Sequence, residues 1–157
     1  ERTFQLLTQV TGRAGRTGAV RGRGLVQTHD PDHPVIRALV SGDREAFYRE
    51  EIETRRRGGL PPFTRLAAIV VSSPDREQAL ADAQRLARLA PREGPLEVLG
   101  PAEAPLAVLR GRHRFRLLAR APRAFDLQAA LRRWLEAAGP ERGSVRRAVD
   151  VDPQNFL

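Results

Sequence analysis

A chain of 157 residues that is 41% apolar has enough material for one packed domain and part of a second. Without a single cysteine it has neither a disulfide framework nor a thiolate metal site, and its longest apolar run, Leu66 to Val71, is far too short to cross a bilayer. All 27 basic residues are arginine, and the net charge of +8 is concentrated in two places: five arginines against one glutamate in residues 1–24, and six arginines with no acid in residues 110–123. The total reflects composition bias, but clustering of this kind favours polyanions such as phosphate, DNA or RNA. No stretch reads as a secretory leader, which sets a cytoplasmic location with no membrane partner as the expectation. The lack of any methionine predicts that the chain is the back end of a longer protein.

In chain order, Phe4, Leu6, Leu7 and Val10 set a helix, on which Gln9-Val10-Thr11-Gly12-Arg13-Ala14-Gly15-Arg16 stands. Leu25 to Thr28 reads as a short strand before a break at Asp30-Pro31-Asp32, and Pro34 suits the first turn of a short helix through Leu39. Asp43 can cap a longer helix in which Glu45→Arg49, Glu51→Arg55 and Glu53→Arg57 are spaced for i,i+4 ion pairs, and Gly58-Gly59 stops it. Gly58-Gly59-Leu60-Pro61-Pro62 marks the domain junction, dividing residues 1–59 from 60–157.

Beyond the junction, Arg65 to Ser72 is a β-branched strand, and Ser73-Pro74 offers an N-cap followed by proline at the first helical position. The helix that follows repeats apolar residues at 79, 80, 83, 86, 87 and 90. Leu96 to Leu99 is a strand, succeeded by a proline-interrupted stretch to Leu109. In Arg112 to Ala119, arginines at 112, 114 and 116 alternate with His113, Phe115 and Leu117, giving one guanidinium face and one mostly apolar face. A last helix from Asp126 aligns Leu127, Ala130, Leu131, Trp134, Leu135 and Ala138, and Val145 to Val151 closes the chain as a strand. The order is β-α-β-β-α-β, an α+β, ferredoxin-like plan with two helices on one sheet face and the other face open.

Three groups of residues bear on chemistry. The Gln9 to Arg16 string resembles the last conserved motif of superfamily-two helicases, in which arginines reach the terminal phosphate of ATP held by another lobe. Arginine suits that task because its planar fork spreads donors over the three oxygens of a transferring phosphoryl group, and Gly12 and Gly15 let the backbone come close. An Arg/Gly tract of RNA-binding type, continued through Gly24, and compositional accident fit the same string. The second group is Arg110, Arg112, Arg114 and Arg116. Same-face residues in a strand lie roughly 6.6–6.8 Å apart, close to phosphate spacing, so the row is a DNA-binding candidate that tracks a backbone without reading sequence. A solvated strand face is the alternative, and Phe115 and His113 belong to packing. The third, His29-Asp30-Pro31-Asp32-His33, has metal-ligand residue types, but Pro31 prevents the turn that would align the histidines, and no metal site is expected. No nucleotide-binding loop is present.

Glu1 through Arg16, Asp43-Arg44-Glu45-Ala46-Phe47-Tyr48, Gly59-Leu60-Pro61-Pro62-Phe63, Leu99-Gly100-Pro101-Ala102-Glu103-Ala104-Pro105 and Val149-Asp150-Val151-Asp152-Pro153 together resemble the primosomal protein N′ family of bacterial replication-restart helicases. The resemblance implies a 3′-to-5′ ATP-dependent DNA helicase acting in primosome assembly. Residues 1–59 would end its second, RecA-like lobe and residues 60–157 would form a ferredoxin-like domain similar to a small-subunit ribosomal protein. It further implies that Arg16 is the arginine finger, Arg13 a second phosphate contact, and Gln9, Gly12 and Gly15 part of the ATP cleft. ATP and Mg²⁺ would be shared with upstream sequence, which would also hold the family's zinc. DNA, single-stranded DNA-binding protein and other primosome proteins are the implied partners. Gln128, with Arg123 near it, is the candidate for the single-stranded DNA-binding protein. The reading outside this family is a free-standing nucleic-acid-binding module with an Arg/Gly-rich N-terminal tail.

Overall fold

A computed structural model describes residues 2–13, 24–92 and 94–153 as α+β, with five helices and a four-stranded antiparallel sheet. The chain divides into two compact units between Arg57 and Gly58.

The first unit holds α1 (Arg2–Thr11), α2 (Pro34–Ser41) and α3 (Arg44–Arg57). Its core among the described residues is small: Phe4, Val35, Ala38 and Phe47, with Leu7 and Tyr48 packed against them. Phe4 stacks on Phe47 at 4.4 Å between ring centroids and meets Tyr48 edge-on at 6.1 Å. Residues 25–28 are not the expected strand; no described strand pairs with them, and Leu25 is 99% exposed. Four isolated residues cannot satisfy their backbone as a strand. The α2 helix runs past Leu39 to Ser41, because Gly42 takes a left-handed φ of 73° and returns its N–H to the Ala38 carbonyl. Asp43 caps α3 through the Ala46 N–H at 2.9 Å. Of the three expected ion pairs only Glu51–Arg55 forms between side chains in that spacing. Arg49 and Arg57 instead donate to the backbone carbonyls of Glu45 and Glu53, and the Glu53 carboxylate takes Arg56.

The second unit is β1 (Thr64–Ser73), α4 (Arg76–Arg88), β2 (Glu97–Leu109), β3 (Arg112–Pro122), α5 (Leu127–Ala138) and β4 (Arg146–Val151). The strands lie in the order β2-β3-β1-β4, every neighbouring pair antiparallel. Ala67, Ile69 and Val71 of β1 and Phe115, Leu117 and Ala119 of β3 share one sheet face, and that face, α4 and α5 form a single hydrophobic cluster. Both helical stripes enter it as the sequence periodicity predicts: Ala79, Ala83 and Leu86 from α4, and Leu127, Ala130, Leu131, Trp134 and Ala138 from α5. The indole N–H of Trp134 donates to the Leu86 carbonyl at 3.0 Å, so the largest core side chain leaves no polar atom unpaired.

Three details differ from the sequence expectation. The N-cap of α4 is Asp75, not Ser73. Pairing of β1 with β3 continues to Ser73↔His113, which holds Ser73 in the strand, buried, with its hydroxyl 2.8 Å from that of Ser144. The Asp75 carboxylate, a stronger acceptor than a hydroxyl, takes the N–H groups of Glu77 and Gln78. Second, the proline-interrupted stretch is part of one long strand. β2 lies at the sheet edge, where register shifts between Leu99 and Ala102 and between Glu103 and Val108 absorb Pro101 and Pro105 without disturbing a central ladder. Third, β2 and β3 are joined by a two-residue turn, Arg110-Gly111, with φ of 51° and 72°, the signature of the tight turn that suits the twist of two antiparallel strands.

Candidate nucleic-acid interface on the open sheet face

Because side chains alternate along a strand, residues out of phase with the core face the uncovered side of the sheet. The register assembles them into rows: Arg114–Ser72–Arg146, then Arg116–Val70–Ala148, then Leu118–Ala68–Asp150. A shallow basin of about 420 Å³ lies over them, floored by Ala68, Val70 and Ser72 and edged by arginines. Charge is therefore graded along the face. Its hairpin end is cationic, and the opposite end carries the exposed carboxylate of Asp150.

All four arginines expected to act together, Arg110, Arg112, Arg114 and Arg116, border this basin. They do not play one part. Arg112 is half-buried and spends its guanidinium on the fold, with Nε on the Ser72 hydroxyl at 3.2 Å and Nη2 on the carbonyls of Ser72 and Ser144 at 2.9 and 2.7 Å. It ties β3 to β1 and to the loop before β4. Arg114 gives a single N–H to the Leu106 carbonyl at 3.4 Å, leaving most of its five donors toward the basin. Arg110 sits at the hairpin tip, exposed. Sequence reading missed Arg146, which reaches the basin from β4 with Nη1 bonded to the carbonyls of Gly143 and Val145 and 3.8 Å from the Glu141 carboxylate, while its side chain stays 61% exposed. Its two-residue spacing from Ala148 and Asp150 was the available signal, but only the pairing Ser72↔Arg146 places it opposite Arg114.

Arg147, the next residue, faces the helices and belongs to the fold. Its guanidinium makes a two-pronged pair with Asp82 of α4 at 2.7 and 2.6 Å and donates to the Gly139 carbonyl at 2.7 Å, with side chains only 6% and 10% exposed. The hydrogen bond to Asp82 raises the Arg147 pKa, against the lowering effect of burial.

In the first unit, Gln9 is exposed near the end of α1 and borders a groove formed with Phe4, Gln5, Thr8, Arg44 and Tyr48. Gly12 and Arg13 follow the helix, the Gly12 N–H on the Thr8 carbonyl and the Arg13 N–H on that of Val10. Gly15 and Arg16 lie outside the described residues. Arg123 and Gln128 are both exposed, in the turn before α5 and in its first turn. Among the described residues no three His, Cys, Asp or Glu side chains converge to hold a metal. His33 instead caps α2, its Nδ1 accepting the Val35 N–H at 3.2 Å. No described helix is long and apolar enough to cross a membrane.

The chain is similar to proteins named Replication restart protein PriA. That of Rickettsia felis is 36% identical over 157 residues, covering 99% of this chain and 24% of the relative. That of Haemophilus influenzae is 37% identical over 158 residues (99% of this chain, 22% of the relative), and that of Bacillus subtilis 33% identical over 161 residues (100% and 20%). The chain thus spans a quarter or less of the length of these relatives. The family model described as the primosomal protein N C-terminal domain matches residues 56–154, which include the whole sheet and both helices that cover it. With well over half of its length matched in this way, the chain belongs to the primosomal protein N C-terminal domain family.

Proposed function

We propose that this chain is the C-terminal part of an ATP-dependent, 3′-to-5′ DNA helicase that acts in replication restart and primosome assembly in the cytoplasm. The observation that carries the reading is the match along essentially the whole chain to replication restart proteins, running through the Gln9 to Arg16 string as well as the second unit. On this reading residues 1–59 end a RecA-like lobe and residues 60–157 form a ferredoxin-like DNA- and protein-docking domain. The strand order β2-β3-β1-β4, with both helices on one face, supports the second half of that statement.

ATP and Mg²⁺ would be shared with upstream sequence that holds the nucleotide, and zinc would belong upstream as well. The bound nucleotide supplies the phosphoryl group to be transferred. Arg16 would neutralise charge on that group as the arginine finger, Arg13 would be a second phosphate contact, and Gln9, Gly12 and Gly15 would line the cleft. The exposure of Gln9, Gly12 and Arg13 supports this, since a wall completed by another part of the protein must be accessible before it is completed. The open sheet face would bind DNA through its arginines, and Arg123 and Gln128 would contact single-stranded DNA-binding protein.

The test is Arg16→Ala in the complete protein. DNA-stimulated ATP turnover is expected to fall by about a thousandfold or more, as for other arginine fingers; turnover within a few-fold of the parent would remove the assignment. The 157-residue chain alone is expected to hydrolyse no ATP yet bind DNA with affinity that falls steeply with salt.

A further inference from the structure

The open face carries charge but, among the described residues, no ring. Among the described residues no aromatic side chain borders the basin: Phe115 and Trp134 are buried beneath the opposite face, and Phe125 packs against the same cluster. Surfaces that hold single-stranded nucleic acid combine a cationic groove with aromatic platforms on which unpaired bases stack, and sheet proteins that bind single-stranded RNA place such rings on the open face. Here that position is taken by Ala68, Val70 and Ser72, which are too small to stack. Pro105, Leu109 and Val149 add apolar surface without a ring, so the edge arginines are the groups that can hold a polyanion, and a duplex presents about one charge per 1.7 Å of its axis, twice the density of a single strand of the same rise.

The guanidiniums are also placed for a stiff ligand. Arg114 and Arg146 stand on strands separated by β1, so their Cα atoms lie on the order of 9–10 Å apart across Ser72, at two strand spacings. Arg112 cannot swing between them, because its three bonds hold it against Ser72 and Ser144. Arg110 continues the cationic end at the hairpin tip, while Asp150 repels a polyanion from the other end. A ligand is thereby confined to the hairpin end of the face.

We propose that this face grips the backbone of double-stranded DNA and discriminates against single strands, with Arg114 and Arg146 as paired phosphate contacts across Ser72. The proposal rests on the reading above that the sheet face binds DNA. It adds the class of DNA and the pair of residues that selects it.

The test uses the 157-residue chain and labelled DNA, an about 20-base-pair duplex and a single strand with the same number of phosphates, titrated by fluorescence anisotropy from about 50 to about 200 mM salt. The duplex is expected to bind at least about tenfold more tightly at each salt concentration. Replacing both Arg114→Gln and Arg146→Gln should erase most of that preference and lower the salt slope for duplex by about two, one for each guanidinium taken from a phosphate. A control that removes equal charge from the helical side, Arg132→Gln with Arg133→Gln, should retain the preference. Equal or tighter binding of the single strand would overturn this proposal while leaving the DNA-binding reading intact. So would an equal loss in the control, or displacement of the duplex by a glutamate polymer of matched charge, which would identify an acidic-peptide surface. Failure to bind either DNA would overturn the DNA-binding reading itself.

Discussion

Arginines of identical sequence character have opposite physical roles in this chain, and the hydrogen bonds each guanidinium makes within the fold decide which. Arg112 and Arg114 are two residues apart on the same strand face, yet the first is saturated by Ser72 and Ser144 and the second gives up one N–H. Arg112→Ala is therefore expected to lower stability by about 1.5–3 kcal/mol, the range for hydrogen bonds from a charged group. Urea denaturation measures it, and a change below about 0.5 kcal/mol would show that water replaces the guanidinium at no cost. Arg146 and Arg147 divide the same way, one toward the basin and the other into the pair with Asp82. Because the Arg147 pKa is raised, the stability it contributes is complete below the ordinary arginine range and is lost only as pH rises through the raised value. Arg147 therefore adds no pH dependence to folding near neutrality.

At the scale of elements, hydrophobic periodicity identified α4, α5, β1 and β3, because each buries a single stripe or face whose spacing is written locally. β2 was legible only in part. Prolines argue against a strand when its position in the sheet is unknown, and its edge position is a property of the whole sheet. Gly100, at the first register shift, is what lets β2 turn there: its φ is 101°, and a Cβ at that position would come within 2.7 Å of the Arg116 carbonyl oxygen. Gly100→Ala is expected to destabilise the second unit by about 1–3 kcal/mol, the cost of a strained backbone position. Thermal unfolding checks it; an unchanged midpoint would mean that the edge strand shifts to accommodate the methyl group. The N-cap of α4 lies two residues beyond Ser73 for a related reason, since pairing with β3 carries β1 through Ser73.

At the scale of the molecule, the two units have unequal cores. Among the described residues, seventeen buried ones, from Ala67 to Val145, form the cluster of the second unit, against four in the first, where Val10 and Val40 remain 68% and 83% exposed. A unit with so small a core has little free energy of its own. Hydrogen exchange is expected to separate them, with amides of α1, α2 and α3 exchanging at least about tenfold faster than those of β1 and β3, as local opening requires less free energy there. Equal protection would show that the chain unfolds as one cooperative unit.

The sequence by itself determined the α+β class, the order of elements after residue 60, the side of each helix that is buried and the two arginine clusters, because periodicity and charge are local properties of a chain. Only the tertiary structure decided which arginines meet. Strand register brought Arg146 from β4 opposite Arg114 on β3 and turned Arg112 inward to Ser72 and Ser144. Register is set by pairing between residues as far apart in the chain as Ser72 and Arg146, and no spacing within a single segment encodes it.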